Sequence, residues 1–153
     1  MSDRIKPIAI YAAALFVVDT LGWFASWLAR KHETVQNNIG IITLVLVAAV
    51  AGVGGYRWIV RYPMSRALNE IGAAIVAGCV ASALISPFAG GSYPFHDGAG
   101  SFFLKIWLFL GASIGGVLLA ALFAMAFGKD YRDQALKRYA DVKAAKPRRA
   151  VRR

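Results

Sequence analysis

Asp19 is the side chain best placed to do chemistry in this sequence. It stands in FVVDTLGWF (16–24), inside an apolar run from Ile8 to Leu28. At helical spacing it shares one face with Tyr11, Leu15, Gly22, Trp23 and Ser26. A charged Asp at the centre of a membrane span costs about 2.5–3.5 kcal/mol on insertion scales. Asp is also too short to reach either surface. This face should therefore point into a bundle or toward a partner.

Three kinds of chemistry fit such a carboxyl. Held away from bulk water, it can bind a proton or a cation and exchange it near neutral pH, with Tyr11 and Trp23 lining the site. Protonated and neutral, it can serve as packing glue to Thr43, Ser82 or Ser113, each bond contributing ~0.6–2 kcal/mol. Ionised, it can pair with an Arg or Lys of another subunit. That partner would be external, because no other span carries a central basic residue.

Other reactive residues carry weaker signals. His96 and Asp97 are adjacent, as are His32 and Glu33, but neither pair has a zinc-ligand spacing. Both read as solvated loop residues. Cys79 is the single cysteine, which excludes an intrachain disulfide and suits a small hydrophobe in a core. GVGG (52–55) lies within an apolar run and is not a phosphate loop. No catalytic constellation is visible. The expectation is a non-enzymatic protein with no cofactor and no metal.

The elements that hold Asp19 follow from hydropathy. The chain has 153 residues, 58% of them hydrophobic. That excess lies in four runs: Ile8–Leu28, Ile39–Tyr56, Ile71–Phe88 and Ile106–Phe127. Each is close to the ~20 residues that cross a hydrocarbon core as a helix. They lack the polar face of a soluble helix and the alternation of a β-barrel. The first run is long for a cleaved signal and is broken by Asp19, so it reads as a retained span. Short polar connections predict an all-α, up-down antiparallel bundle of four transmembrane helices, residues 1–128. Asn69 is a candidate cap for the third helix.

Charge orients the bundle. Formal net charge is +10, with 18 basic and 8 acidic residues. Fifteen of the basic residues flank one side, and only Arg30, Lys31 and Lys105 flank the other. Lys/Arg bias of this kind places both termini in the cytoplasm, in a cell (inner) membrane. Lys105 is expected to snorkel outward. Residues 129–153 form a basic extension, in which Tyr131, Ala135, Tyr139 and Val142 make one helical stripe. This reads as a continuation of the fourth span or as a surface helix. Arg148, Arg149, Arg152 and Arg153 follow Pro147 and should contact anionic headgroups. Nucleic acid is not an expected partner.

Small residues mark the packing ridges. Gly78 and Ser82 belong to a four-residue repeat in the third span, and Gly111 and Gly115 form a GxxxG in the fourth. Such spacing lets helix backbones approach, within the bundle or between copies. Short loops, the absence of an implied large pocket and an acid without an internal partner favour a non-enzymatic subunit or assembly partner of a membrane complex. The alternative is a homo-oligomeric proton-coupled exporter of small solutes, with Asp19 as the coupling acid. Four spans with an acid in the first is similar to the layout of the small multidrug exporters, although no motif is shared.

Overall fold

The computed structural model describes residues 2–29, 31–96 and 98–145. They form five helices: α1 (Ser2–Leu28), α2 (Glu33–Arg61), α3 (Met64–Ala89), α4 (Ala99–Ala126) and α5 (Tyr131–Ala145). No strand occurs among the described residues. The first four helices are long and apolar enough to cross a membrane. The chain is thus a small all-α multi-pass membrane protein.

Helices α2, α3 and α4 each begin one to two turns before their apolar runs. The polar residues ahead of those runs contain no break signal, so backbone bonding continues through them. Asn69 therefore lies inside α3, and the N-cap is Pro63. Proline suits that place because a helix start needs no donor there. The helix ends have local causes. α3 stops at Gly91, whose φ of 69° lets the Ser92 N–H reach the Pro87 carbonyl. α4 stops in the same way at Gly128, φ 56°, with the Lys129 N–H on the Ala124 carbonyl at 2.9 Å. The extension is consequently a separate helix, α5, packed against α2.

The ends of α1 and α3 and the starts of α2 and α4 lie at one end of the bundle, here the loop end. The start of α1, the α2–α3 turn and α5 lie at the other, the terminal end. The most extensive packing is α2 on α4 and α1 on α3, with α1 on α2 joining the two pairs. α3 and α4 touch only sparingly. Close backbone approach explains the strong pairs. A Cβ at Gly116 would run into the Ala48 carbonyl, and one at Gly52 would lie 3.0 Å from the Gly116 carbonyl oxygen. A Cβ at Gly78 would stand 3.3 Å from Leu15 Cβ.

At the terminal end, Tyr11 is buried. Its hydroxyl donates to the Ala51 carbonyl at 2.6 Å, and its ring lies 5.2 Å from that of Trp58. Trp58 Nε1 donates to Glu70 Oε2 and Arg66 Nε donates to Glu70 Oε1, both at 2.7 Å. The Arg66 guanidinium also covers the Tyr62 ring at 4.2 Å. These contacts fix the sharp α2–α3 turn.

Candidate functional site

A cavity of about 700 Å³ occupies the loop-end half of the bundle. The sparse contact between α3 and α4 leaves room for it. This volume falls within the range of small-molecule sites. No large pocket is implied by the sequence, because a gap between helices is a product of how they splay.

Asp19 lines this cavity from α1, with Trp23 and Ser26 one and two turns further along. α2 contributes Gln36, Asn37 and Thr43. α3 contributes Cys79, Ser82, Ala83 and Pro87. Phe102, Lys105 and Phe109 come from α4. Polar groups are few and the walls are mainly apolar and aromatic, the usual make-up of a small-ligand site.

The hydrogen bonds around Asp19 are incomplete. Its carboxyl lies beside the hydroxyls of Ser82 and Ser86. Thr20 Oγ1 donates to the Phe16 carbonyl at 2.8 Å and is 3.0 Å from Ser86 Oγ. Ser86 has one proton to share between Thr20 and Asp19. Ser82 is 4% exposed, and its Oγ has no hydrogen-bond partner. A protonated Asp19 can donate to either serine. An ionised Asp19 can accept from them instead. Pro87 adds a further acceptor, since it lacks the N–H that the Ala83 carbonyl would receive in a regular helix.

Lys105 is exposed and lines the cavity, with its ammonium 4.5 Å from the Trp23 ring centroid and within electrostatic reach of Asp19. The acid thus has a cation from its own chain, supplied by the mouth of α4. A cation over an indole face is attracted by the ring quadrupole. Trp23 also packs on Gly90, where a Cβ would be 3.0 Å from the ring.

The remaining candidates separate. Tyr11 shares the α1 face with Asp19 but does not line the cavity; it is tied to α2 nearer the terminal end. Thr43 lines the cavity, yet its hydroxyl donates to Ile39 of its own helix at 2.8 Å. Ser113 is buried in α4 without a hydrogen-bond partner and away from the cavity lining. Gly78 packs α3 on α1, whereas Gly111 and Gly115 face open space and do no packing within the bundle. Their GxxxG spacing fits a close contact, but the side of α4 that bears it points outward. Cys79 is buried and borders the cavity. Of the extension's stripe, Tyr131 and Ala135 border a groove beside Val60 of α2, while Tyr139 and Val142 are exposed.

Asp97 and the tail arginines Arg148, Arg149, Arg152 and Arg153 lie outside the described residues. Among the described residues no three His, Cys, Asp or Glu side chains gather as a metal site. Sequence spacing missed Gln36, Asn37, Pro87 and Lys105. The one available signal was polarity: Gln36 and Thr43 are seven residues apart, two turns along one face of α2. No protein family, curated protein or solved structure matches the chain.

Proposed function

We propose that this protein is a non-enzymatic membrane carrier that binds a small solute in the loop-end cavity, with Asp19 as the proton-coupling acid. One observation carries the reading. A half-buried carboxyl, an unpartnered buried serine hydroxyl and a chain cation all border one cavity of about 700 Å³. The solute class follows from the walls. Asp19 and Lys105 offer one charge of each sign, and Trp23, Phe102 and Phe109 offer aromatic surface. A small molecule with a cationic group and an apolar body fits, as does an amphipathic zwitterion. Proton and solute cation would compete for the same carboxyl, which is the basis of exchange. With both termini in the cytoplasm, as the basic bias favours, the cavity faces the outer side of a cell membrane. Working as a homo-oligomer belongs to this reading.

The test uses proteoliposomes loaded with a pH-sensitive dye. The probes are quaternary ammonium ions of graded apolar size, which cannot cross as free bases, and amino acids of matching side chains. At least one probe should move protons through wild-type protein, and Asp19→Asn should reduce that movement to the protein-free baseline. Equal movement in the variant would sink the proposal, as would a wild-type protein no better than empty vesicles across the panel.

A second reading, an assembly subunit of a larger membrane complex, draws on the outward Gly111–Gly115 ridge of α4. It expects a stoichiometric foreign chain after purification in mild detergent.

A further inference from the structure

A second groove, at the terminal end, is independent of the cavity around Asp19. It has a volume of about 410 Å³ and lies between the last turn of α2 and the first half of α5. Val60 and Arg61 form one wall. Tyr131, Gln134, Ala135 and Arg138 form the other. Positions 131, 134, 135 and 138 fall on one stripe of a helix, so a single face of α5 meets α2. The Gly128 stop lets α5 pack against α2, so that both arginines border the groove.

The electrostatics of this groove are unbalanced. Two guanidiniums border it, and no carboxylate does. Among the described residues neither Arg61 nor Arg138 has an acidic partner at ion-pair distance; the arginine that does is Arg66, held by Glu70. Gln134 is oriented by donating Nε2 to the Lys129 carbonyl at 2.6 Å. The Tyr131 phenol adds a donor. Two planar guanidiniums with nearby neutral donors suit an oxyanion, and a phosphoryl group above all, because each guanidinium can give it two parallel N–H bonds.

The position selects the source of that phosphoryl group. The membrane-spanning stretch of α2 ends at Arg61. The groove floor is apolar at Val60 and Ala135. An anion arriving with acyl chains would set its phosphate on the arginines at headgroup depth and its chains along α2. Basic pockets between helices at the cytoplasmic surface bind anionic headgroups in this manner. We propose that Arg61 and Arg138, with Tyr131 and Gln134, form a binding site for the phosphate of an anionic phospholipid. This site is separate from any contact made by the tail arginines.

Native mass spectrometry of the full-length protein in neutral detergent tests the proposal. Phosphatidylglycerol and phosphatidylcholine are added in turn. Wild-type protein should retain phosphatidylglycerol adducts in clear excess over phosphatidylcholine. The Arg61→Gln/Arg138→Gln double variant should weaken phosphatidylglycerol retention at least about tenfold. Arg61→Lys/Arg138→Lys, which keeps charge but loses the paired geometry, should fall between them. An Arg152→Gln/Arg153→Gln control, which removes the same charge from the tail, should lose clearly less than the groove double variant. Both arginines are exposed, so their replacement should leave the melting profile unchanged, and that profile is recorded for every variant.

A further arm adds inorganic phosphate against chloride at matched ionic strength. Phosphatidylglycerol retained in phosphate supports the lipid as occupant. Phosphatidylglycerol displaced by phosphate alone would overturn it in favour of a soluble phosphate on the same residues. Equal phosphatidylglycerol retention by wild type and the glutamine double variant would remove the site altogether. So would an equal loss in the tail control, which would assign binding to overall charge.

Discussion

Two serines with no hydrogen-bond partner give opposite expectations, because only one of them borders the cavity. Ser82 Oγ lies beside Asp19, and Ser113 Oγ is sealed within α4. Ser113 Oγ gains nothing from the fold, so Ser113→Ala should leave stability unchanged or raise it by up to about 1 kcal/mol, whereas Ser82→Ala removes a hydroxyl beside Asp19 and should lower stability by about as much. Solute binding should fall in Ser82→Ala alone. Thermal unfolding in detergent and proton-linked flux, measured on the same samples, check both halves. Tyr11 is the converse case. Its 2.6 Å bond to the Ala51 carbonyl is satisfied and buried. Tyr11→Phe should cost about 1 kcal/mol of stability and leave flux intact. A loss of flux would bring Tyr11 back into the site, which its place on the α1 stripe had suggested.

Glycines set how the elements meet, and the structure divides them into two groups that GxxxG spacing alone does not separate. Gly116 sits where a side chain would collide with the Ala48 backbone. A carbonyl cannot step aside as a flexible side-chain end can, so α2 and α4 would have to part. Gly116→Leu should destabilise the bundle by about 1–3 kcal/mol. Gly111→Leu and Gly115→Leu, which meet open space, should each cost far less. Unfolding of the three variants by graded denaturing detergent would show the ranking, and equal loss in all three would contradict the α2–α4 packing. The helices themselves were legible from sequence, because twenty apolar residues in a row leave a backbone few alternatives. Their starts were not, since polar turns continue a helix without any hydropathy signal. The break before α5 could have been read from Gly128, whose left-handed φ only glycine adopts easily.

For the molecule as a whole, the side of the membrane each end occupies governs what the cavity and the arginine groove can meet. Fifteen of 18 basic residues on one side predict that both termini and α5 face the cytoplasm. Cys79 is the single cysteine, so Cys79→Ala provides a cysteine-free background. A cysteine then placed at Val35 should react with an impermeant maleimide on intact cells. One placed at Tyr139 should react only after the cells are opened. Reversed reactivity would turn the cavity inward and remove the arginine groove from the cytoplasmic leaflet.

Sequence by itself determined the four spans, the charge bias and the presence of an acid that must avoid lipid. Each of these depends on local composition against a slab of fixed thickness, and composition is written along the chain. It did not determine what Asp19 would meet. Lys105 is distant in sequence from Trp23, yet the two touch because the helices pack in the order α3, α1, α2, α4 and leave a gap between α3 and α4. The same holds for Arg61 and Arg138, which border one groove only because α5 starts anew after the Gly128 stop. Helix order and splay arise from many weak contacts summed over whole faces. No short stretch of residues encodes that sum, so the cavity and the arginine groove became visible only in the tertiary structure.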